Sequence, residues 1–171
     1  MACNTTLNGL VRDCLSNVGG VKAVYLANKD DVSGVTVTDG VISAITLVGS
    51  AKFKKYYFKR GQASVESTPQ FNDAGDYAGE STVLSLNFLR QDATKRLEAI
   101  SLSVGELVAI YEDNNGLFWY LGYDNPVLRT GGTSGSGTAT TDTNRYGLEL
   151  TDISNELPHS VDATIIPSIV D

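Results

Sequence analysis

Asn115-Gly116 stands between two apolar runs, Glu106–Glu112 and Leu117–Tyr123, with Asp113-Asn114 just ahead of it. An Asn-Gly pair supplies the positive φ values of a tight type I′ turn, whose twist matches that of the antiparallel strands it joins. The pattern predicts a β-hairpin in the middle of the chain, and a fold built around that hairpin belongs to the β class.

Other segments agree. Val21–Ala27 is β-branched and aromatic and follows the turn pair Gly19-Gly20, so it reads as a core strand. Val35–Thr38 and Val41–Val48 flank Asp39-Gly40, a second hairpin signal. From Phe53 to Ser67 the odd positions Phe53, Tyr57, Ala63 and Val65 are apolar, while Lys52, Lys54, Arg60, Gln62, Ser64 and Glu66 hold even ones. Such period-2 alternation predicts one long strand running out beyond the body of the sheet. Pro69–Gly79 contains Asn72, Asp73, Gly75 and Asp76 and reads as a polar turn. Leu84, Leu86 and Phe88 then alternate with polar residues, which completes a long hairpin over Lys52–Leu89 with a mobile tip.

One helix is expected, over Asp92–Leu102, with Asp92 as its cap and Ala93, Leu97 and Ile100 as the stripe that packs on a sheet. Residues 126–142 are rich in Gly, Ser and Thr and read as a flexible surface loop, or an arm that orders on a partner. Removing 131–137 is accordingly expected to spare folding. Tyr146, Leu148 and Leu150 mark a late strand, Val161–Ile166 the last one, and residues 1–20 an N-terminal arm. The whole chain, 1–171, reads as a single mainly β domain.

Its chemistry is sparse. With 171 residues, 42% apolar and 19% charged, the chain has the composition of an ordinary compact domain. Thirteen Lys and Arg against twenty Asp and Glu give a net charge of -7, a balance that opposes tight binding to nucleic acid and leaves only transient contact with DNA. Cys3 and Cys14 read as two ordinary thiols ahead of a small disulfide or a metal seed, because zinc needs about four ligands and His159 has no companion at ligand spacing. His159 itself reads as a solvated loop residue, and Glu112 and Asp113 as solvated charges beside the hairpin turn. No nucleophile elbow, paired-histidine helix or phosphate-binding loop occurs, so neither an enzyme nor a cofactor is expected. The first twenty residues lack a basic stretch followed by an apolar run, and no apolar span reaches membrane length, so neither a signal peptide nor a membrane anchor is expected.

One region stands out. Lys52, Lys54, Lys55, Lys59 and Arg60 interleave with Phe53, Tyr56, Tyr57 and Phe58 in an otherwise acidic protein. Basic and aromatic residues together suit single-stranded nucleic acid, and exposed charge on a strand also deters wrong pairing. The reading that best fits the net charge is a contact between copies, with the strip meeting an acidic surface around Asp73, Asp76 and Glu80.

The order of features resembles the tail tube proteins of long-tailed bacteriophages. The resemblance rests on GGVKAVYLAN at 19–28, DATKRLEAI at 92–100, LVAIYEDNNGLFWYLGYDNP at 107–126 and, beyond a Gly/Ser/Thr-rich loop, TDTNRYGLELTDISNELPHSV at 141–161. It implies a β-sandwich or partly closed β-barrel flanked by one helix, assembling into hexameric rings that stack into a hollow tube. DNA passes through such a tube, and a neutral or electronegative lumen lets it slide. The hairpin at 52–89 and the loop at 126–142 would bridge rings, with Lys52, Lys54, Lys55, Arg60, Arg129, Asp73, Asp76 and Glu80 at subunit contacts. Implied partners are copies of the chain, a tape measure protein, a terminator and, where present, a sheath. The implied location is the virion tail, after synthesis in the host bacterial cytoplasm. The basic strip departs from the pattern, since it is ill suited to line a DNA channel. The competing readings are a terminator or connector ring, and a carbohydrate-binding module using Trp119, Tyr120 and Tyr123.

Overall fold

A computed structural model describes residues 6–171. Strands β1 (Val21–Asn28), β2 (Val32–Thr38), β3 (Val41–Leu47) and β4 (Lys54–Tyr57) precede the hairpin β5 (Ala63–Phe71) and β6 (Tyr77–Leu89). Helix α1 (Ala93–Val104) leads into β7 (Leu107–Asp113) and β8 (Phe118–Leu121), followed by β9 (Leu128–Gly131), β10 (Arg145–Ser154), β11 (His159–Val161) and a short helix α2 (Ile166–Ile169). The strands form two sheets, one ordered β2-β3-β11-β8-β7-β1-β4 and one ordered β5-β6-β10-β9. Neither closes into a barrel; the fold is a mainly β sandwich with a flanking helix, an extended hairpin and a Gly/Ser/Thr-rich loop.

Burial explains the sequence pattern. β1 and β7 lie inside the larger sheet and are covered on both faces, which is why VKAVYLA and LVAI are continuous apolar runs. One face packs Val24, Leu26 and Ala109 against Leu84 and Leu86 of β6, Leu148 and Leu150 of β10, and Leu102 of α1. The opposite face packs Tyr25 and Ile110 against Ile42, Phe53, Ile166 and Ile169. β6 and β10 have one covered face each and alternate instead.

The expected single strand from Phe53 to Ser67 is two strands in different sheets. β4 pairs with β1, a turn closes with Gln62 N–H donating to Lys59 O at 3.0 Å, and β5 then pairs with β6. The odd-position pattern spans the break without marking one face: Phe53 and Ala63 are buried in different core clusters, Tyr57 is 72% exposed, and the even-numbered Tyr56 and Phe58 pack on the cluster of Ala63. The hairpin is therefore β5–β6, and its strands reach further than the polar stretch Pro69–Gly79 suggested, with Gln70 opposite Gly79 and Phe71 opposite Tyr77.

Helix α1 begins as expected, with the Asp92 carboxylate accepting from Lys95 N–H at 2.8 Å. Its buried face is not the expected one. Ala99 and Leu102 pack inward, while Leu97 and Ile100 are 62% and 46% exposed. Polar anchors set this rotation: Lys95 Nζ donates to the Leu89 and Arg90 carbonyls at 2.8 and 3.1 Å, and Arg129 Nη1 donates to Ser103 Oγ at 2.6 Å.

The Gly/Ser/Thr-rich stretch contributes strand β9, which pairs with β10. Beyond it, Gly147 N–H donates to Thr133 O at 3.1 Å, and Gly135 and Arg145 exchange two backbone hydrogen bonds. Gly132, at φ 100°, lets the chain approach so closely that a Cβ there would lie 2.4 Å from Gly147 O. Main-chain pairing orders this segment where apolar burial could not.

Two turns also differ. At the central hairpin only Gly116 has positive φ, so the turn is a type I turn followed by a bulge rather than type I′. The Asp113 carboxylate favours that form by accepting from Asn115 and Leu117 N–H at 2.8 and 3.0 Å. The expected last strand over Val161–Ile166 stops at Val161, because the Asp162 side chain accepts from Thr164 N–H at 2.9 Å and starts a helical turn. Glu112 is not solvated: it is 7% exposed, ion-paired with Lys22, and accepts from Tyr25 OH at 3.2 Å. Cys14 is exposed, and Cys3 lies outside the described residues.

Candidate assembly surface

β4 is an edge of the larger sheet, with β1 on its only paired side. Edge strands expose unpaired backbone groups, and charged side chains there limit which partners can add to them. Lys54 and Tyr56 share the face toward α1, where Tyr56 OH donates to Glu98 Oε1. Lys55 and Tyr57 occupy the other face, with Lys55 Nζ 4.3 Å from the Tyr57 ring centroid and 5.1 Å from that of Tyr25. Tyr57 raises the Lys55 pKa above the usual lysine range, so this cation–π stack stays charged.

The remaining cations of the strip divide by what holds them. Lys54 pairs with Asp171, and Lys52 Nζ donates to Ser168 O, so these two fasten the C-terminal segment beside Phe53. The Asp171 carboxyl is held below the usual range chiefly by its hydrogen bond to Lys54. Lys59 and Arg60 lie exposed in the turn between the sheets and make no side-chain hydrogen bond or ion pair among the described residues.

The acidic group divides as well. Asp73 and Asp76 sit in the β5–β6 turn, which Asn72 Oδ1 organises by accepting from Ala74 and Asp76 N–H at 3.0 and 2.9 Å. Residues 68–78 are exposed throughout, and Phe71 and Tyr77 stack edge to face at 6.2 Å near the tip. Glu80 belongs instead to the base of the hairpin, 6% exposed and accepting from Tyr77 OH at 3.0 Å. Arg129 is likewise turned inward, bonded to Gly131 O and Ser103 Oγ. Of the eight residues expected at subunit contacts, Arg60 and Asp73 thus present charge without a side-chain partner, Asp76 is exposed with one long hydrogen bond from Asn72 Nδ2 at 3.4 Å, and Lys52, Lys54, Lys55, Glu80 and Arg129 have partners within the chain. Lys59, absent from that group, belongs beside Arg60.

Geometry separates the two charged groups. Arg60 precedes β5 and Asp73 follows it, and nine extended residues place them about 30 Å apart at opposite ends of one ribbon. They cannot meet within one molecule, but they can meet between copies.

Other candidates resolve into packing. Trp119 is half-buried, and its indole N–H donates to Asp113 Oδ2 at 3.3 Å. Tyr120 is buried, and Tyr123 stacks against His159 at 4.7 Å. His159 Nε2 lies 3.1 Å from Glu156 Oε1 but outside hydrogen-bond geometry. Among the described residues, no three His, Cys, Asp or Glu side chains converge as a metal site, and no helix is long and apolar enough to cross a membrane. No protein-family model matches the chain, and no curated protein matches its sequence.

Proposed function

We propose that this chain is a non-enzymatic structural protein that assembles with copies of itself into stacked hexameric rings, forming the tail tube of a long-tailed bacteriophage. The observation that carries the reading is the ribbon with exposed cations at one end and exposed carboxylates at the other. Opposite charges on one rigid element favour head-to-tail contacts, which close into rings or extend into filaments. The exposed aromatic tip adds apolar area where a neighbouring copy would cover it, and the edge strand β4 offers a second, directional contact. The two-sheet fold with a flanking helix is also the one that the resemblance to tail tube proteins implies. In this reading the net charge of -7 suits a lumen that DNA traverses without sticking.

Electron microscopy and sedimentation of the purified protein test it. Rings or tubes are expected at high concentration; persistent monodisperse monomers overturn the reading. The double variants K59E/R60E and D73K/D76K should each lose assembly by at least about tenfold in critical concentration, roughly 1.4 kcal/mol. Mixing the two variants should restore it, because the reversed charges are complementary again.

A further inference from the structure

Leu7, Leu10, Val11, Cys14, Leu15 and Val18 recur at i, i+3, i+4, i+7, i+8 and i+11, the spacing of one apolar stripe on an α-helix, and Gly19-Gly20 follows as a stop signal. Yet residues 6–18 form no helix and are exposed throughout, with Leu7, Leu10 and Val11 at 89%, 98% and 96%. Twelve residues make a marginal helix in water, so a segment with this pattern needs a surface against which to bury its stripe.

The body carries such a surface. The outward face of α1 presents Leu97, Ile100 and Val104, 62%, 46% and 81% exposed, at i, i+3 and i+7. The strip from Leu97 to Val104 covers about 10 Å of a helix that, from Ala93 to Val104, is about 17 Å long, the length that Leu7 to Val18 would have as a helix. Both strips are apolar and both lack a partner among the described residues.

Within the single chain the segment is not seated on its own helix: Leu7, Leu10 and Val11 on one side and Leu97, Ile100 and Val104 on the other all stay exposed. Asn115 Oδ1 accepts from Val18 N–H at 2.8 Å, Asn114 Nδ2 donates to Gly19 O at 2.7 Å, and Asn114 N–H donates to Gly20 O at 3.1 Å. These bonds, with Asn115 Nδ2 donating to Asn17 Oδ1 at 3.3 Å, fix the root of the segment at the Asp113 end of β7.

We propose that residues 6–18 fold as an amphipathic helix on the exposed face of α1 in a second copy of this chain. The proposal rests on the self-assembly reading and adds to it an apolar, donor-to-acceptor contact independent of the charged ribbon. Each copy gives one segment and receives another, so the contact propagates around a ring or along a tube.

Cys14 lies on the stripe and provides the test. One chain carries Cys3→Ser and keeps Cys14; the other, distinguishable by a tag, carries Cys3→Ser, Cys14→Ser and Leu97→Cys. On mild oxidation of the mixture, a disulfide-linked heterodimer is expected, at least tenfold above a control with Ile153→Cys, also exposed at 60%, in place of Leu97→Cys. A Leu10→Asn, Leu15→Asn version of the first chain, altering only exposed residues, should fold normally and lose the link. Equal yields with the control, or linkage only when both cysteines are on one chain, overturn the proposal. Microscopy of the same samples separates the two readings: tubes without the link sink this proposal alone, links without rings or tubes sink the tube alone, and the absence of both sinks both.

Discussion

Asp152 is 1% exposed on β10, and one of its carboxylate oxygens lacks a hydrogen-bond partner. Ser154 Oγ donates to the other oxygen at 3.3 Å. Around it stand Tyr120 from β8, whose hydroxyl is also unpartnered, Tyr123 and Asp124 from the following loop, His159 from β11, and Lys29. Burial, first among the causes, raises the Asp152 pKa above the usual carboxylate range, and Asp124 adds to the rise. A raised carboxyl pKa means that the folded state binds the proton more tightly than the unfolded chain. Its contribution to stability is most favourable below the ordinary Asp pKa and declines as pH rises through the raised one. Asp152→Asn is therefore expected to stabilise the protein at pH 7, by on the order of 1 kcal/mol, since it removes a poorly satisfied buried charge. Thermal melts from pH 7 down to pH 4 check it: the gain should shrink with acidification, and a gain independent of pH would contradict the assignment. Glu112 shows the opposite arrangement, buried but met by Lys22 and Tyr25, and no such gain is expected there.

At the scale of elements, the Gly/Ser/Thr-rich stretch is the one whose role changes most. β9 is an edge of the smaller sheet, and backbone bonds from Thr133 and Gly135 continue its pairing with β10. Deleting 131–137 should therefore destabilise the fold rather than spare it. The single change Gly132→Ala should cost about 2 kcal/mol through its positive φ and its collision with Gly147 and Leu148. Chemical denaturation checks both, and a deletion variant with unchanged midpoint would contradict this account. Elements with local signals were legible in advance: β1 as an apolar run, β2–β3 around Asp39-Gly40, α1 from its Asp92 cap. Three features were not legible, each for its own physical reason. The crossing at Lys59–Gln62 shifts the core-facing positions from Tyr56 and Phe58 to Ala63 and Val65, a shift that the apolar Tyr57, exposed in the fold, conceals. The rotation of α1 is set by polar anchors that the apolar spacing does not report, Lys95 on the Leu89 and Arg90 carbonyls just ahead of the helix and Arg129, distant in sequence, on Ser103. β9 owes its order to backbone bonds, which composition does not report. Within the candidate surface, Arg60, Asp73 and Asp76 could be read from charge alone, whereas the burial of Glu80 depends on how far β6 extends beyond its apolar residues.

For the molecule as a whole, two kinds of contact with different physics follow. Ribbon ends carrying Lys59 and Arg60 against Asp73 and Asp76 are exposed charge pairs, each worth about 0.2–1 kcal/mol and screened as the Debye length falls from about 10 Å at 0.1 M salt to about 3 Å at 1 M. The 6–18 segment on α1 is an apolar contact, which salt does not screen. Raising salt from about 0.1 to about 1 M should therefore dissociate the ribbon contact, while disulfide linkage of Cys14 to the Leu97→Cys chain persists. Sedimentation and crosslinking on the same samples check this, and parallel loss of both would show that one interface serves for both.

The turn at Lys59–Gln62 has a mechanical consequence. A neighbour that grips the β5–β6 tip and pulls along the ribbon loads β6 against β10 in shear, where ten residue pairs share the force. Tension passing back through β5 reaches β4, which has four pairs to β1. The ribbon should stay intact under tension while β4 yields first, which makes the basic edge the compliant joint of the chain and the tip its stiff lever.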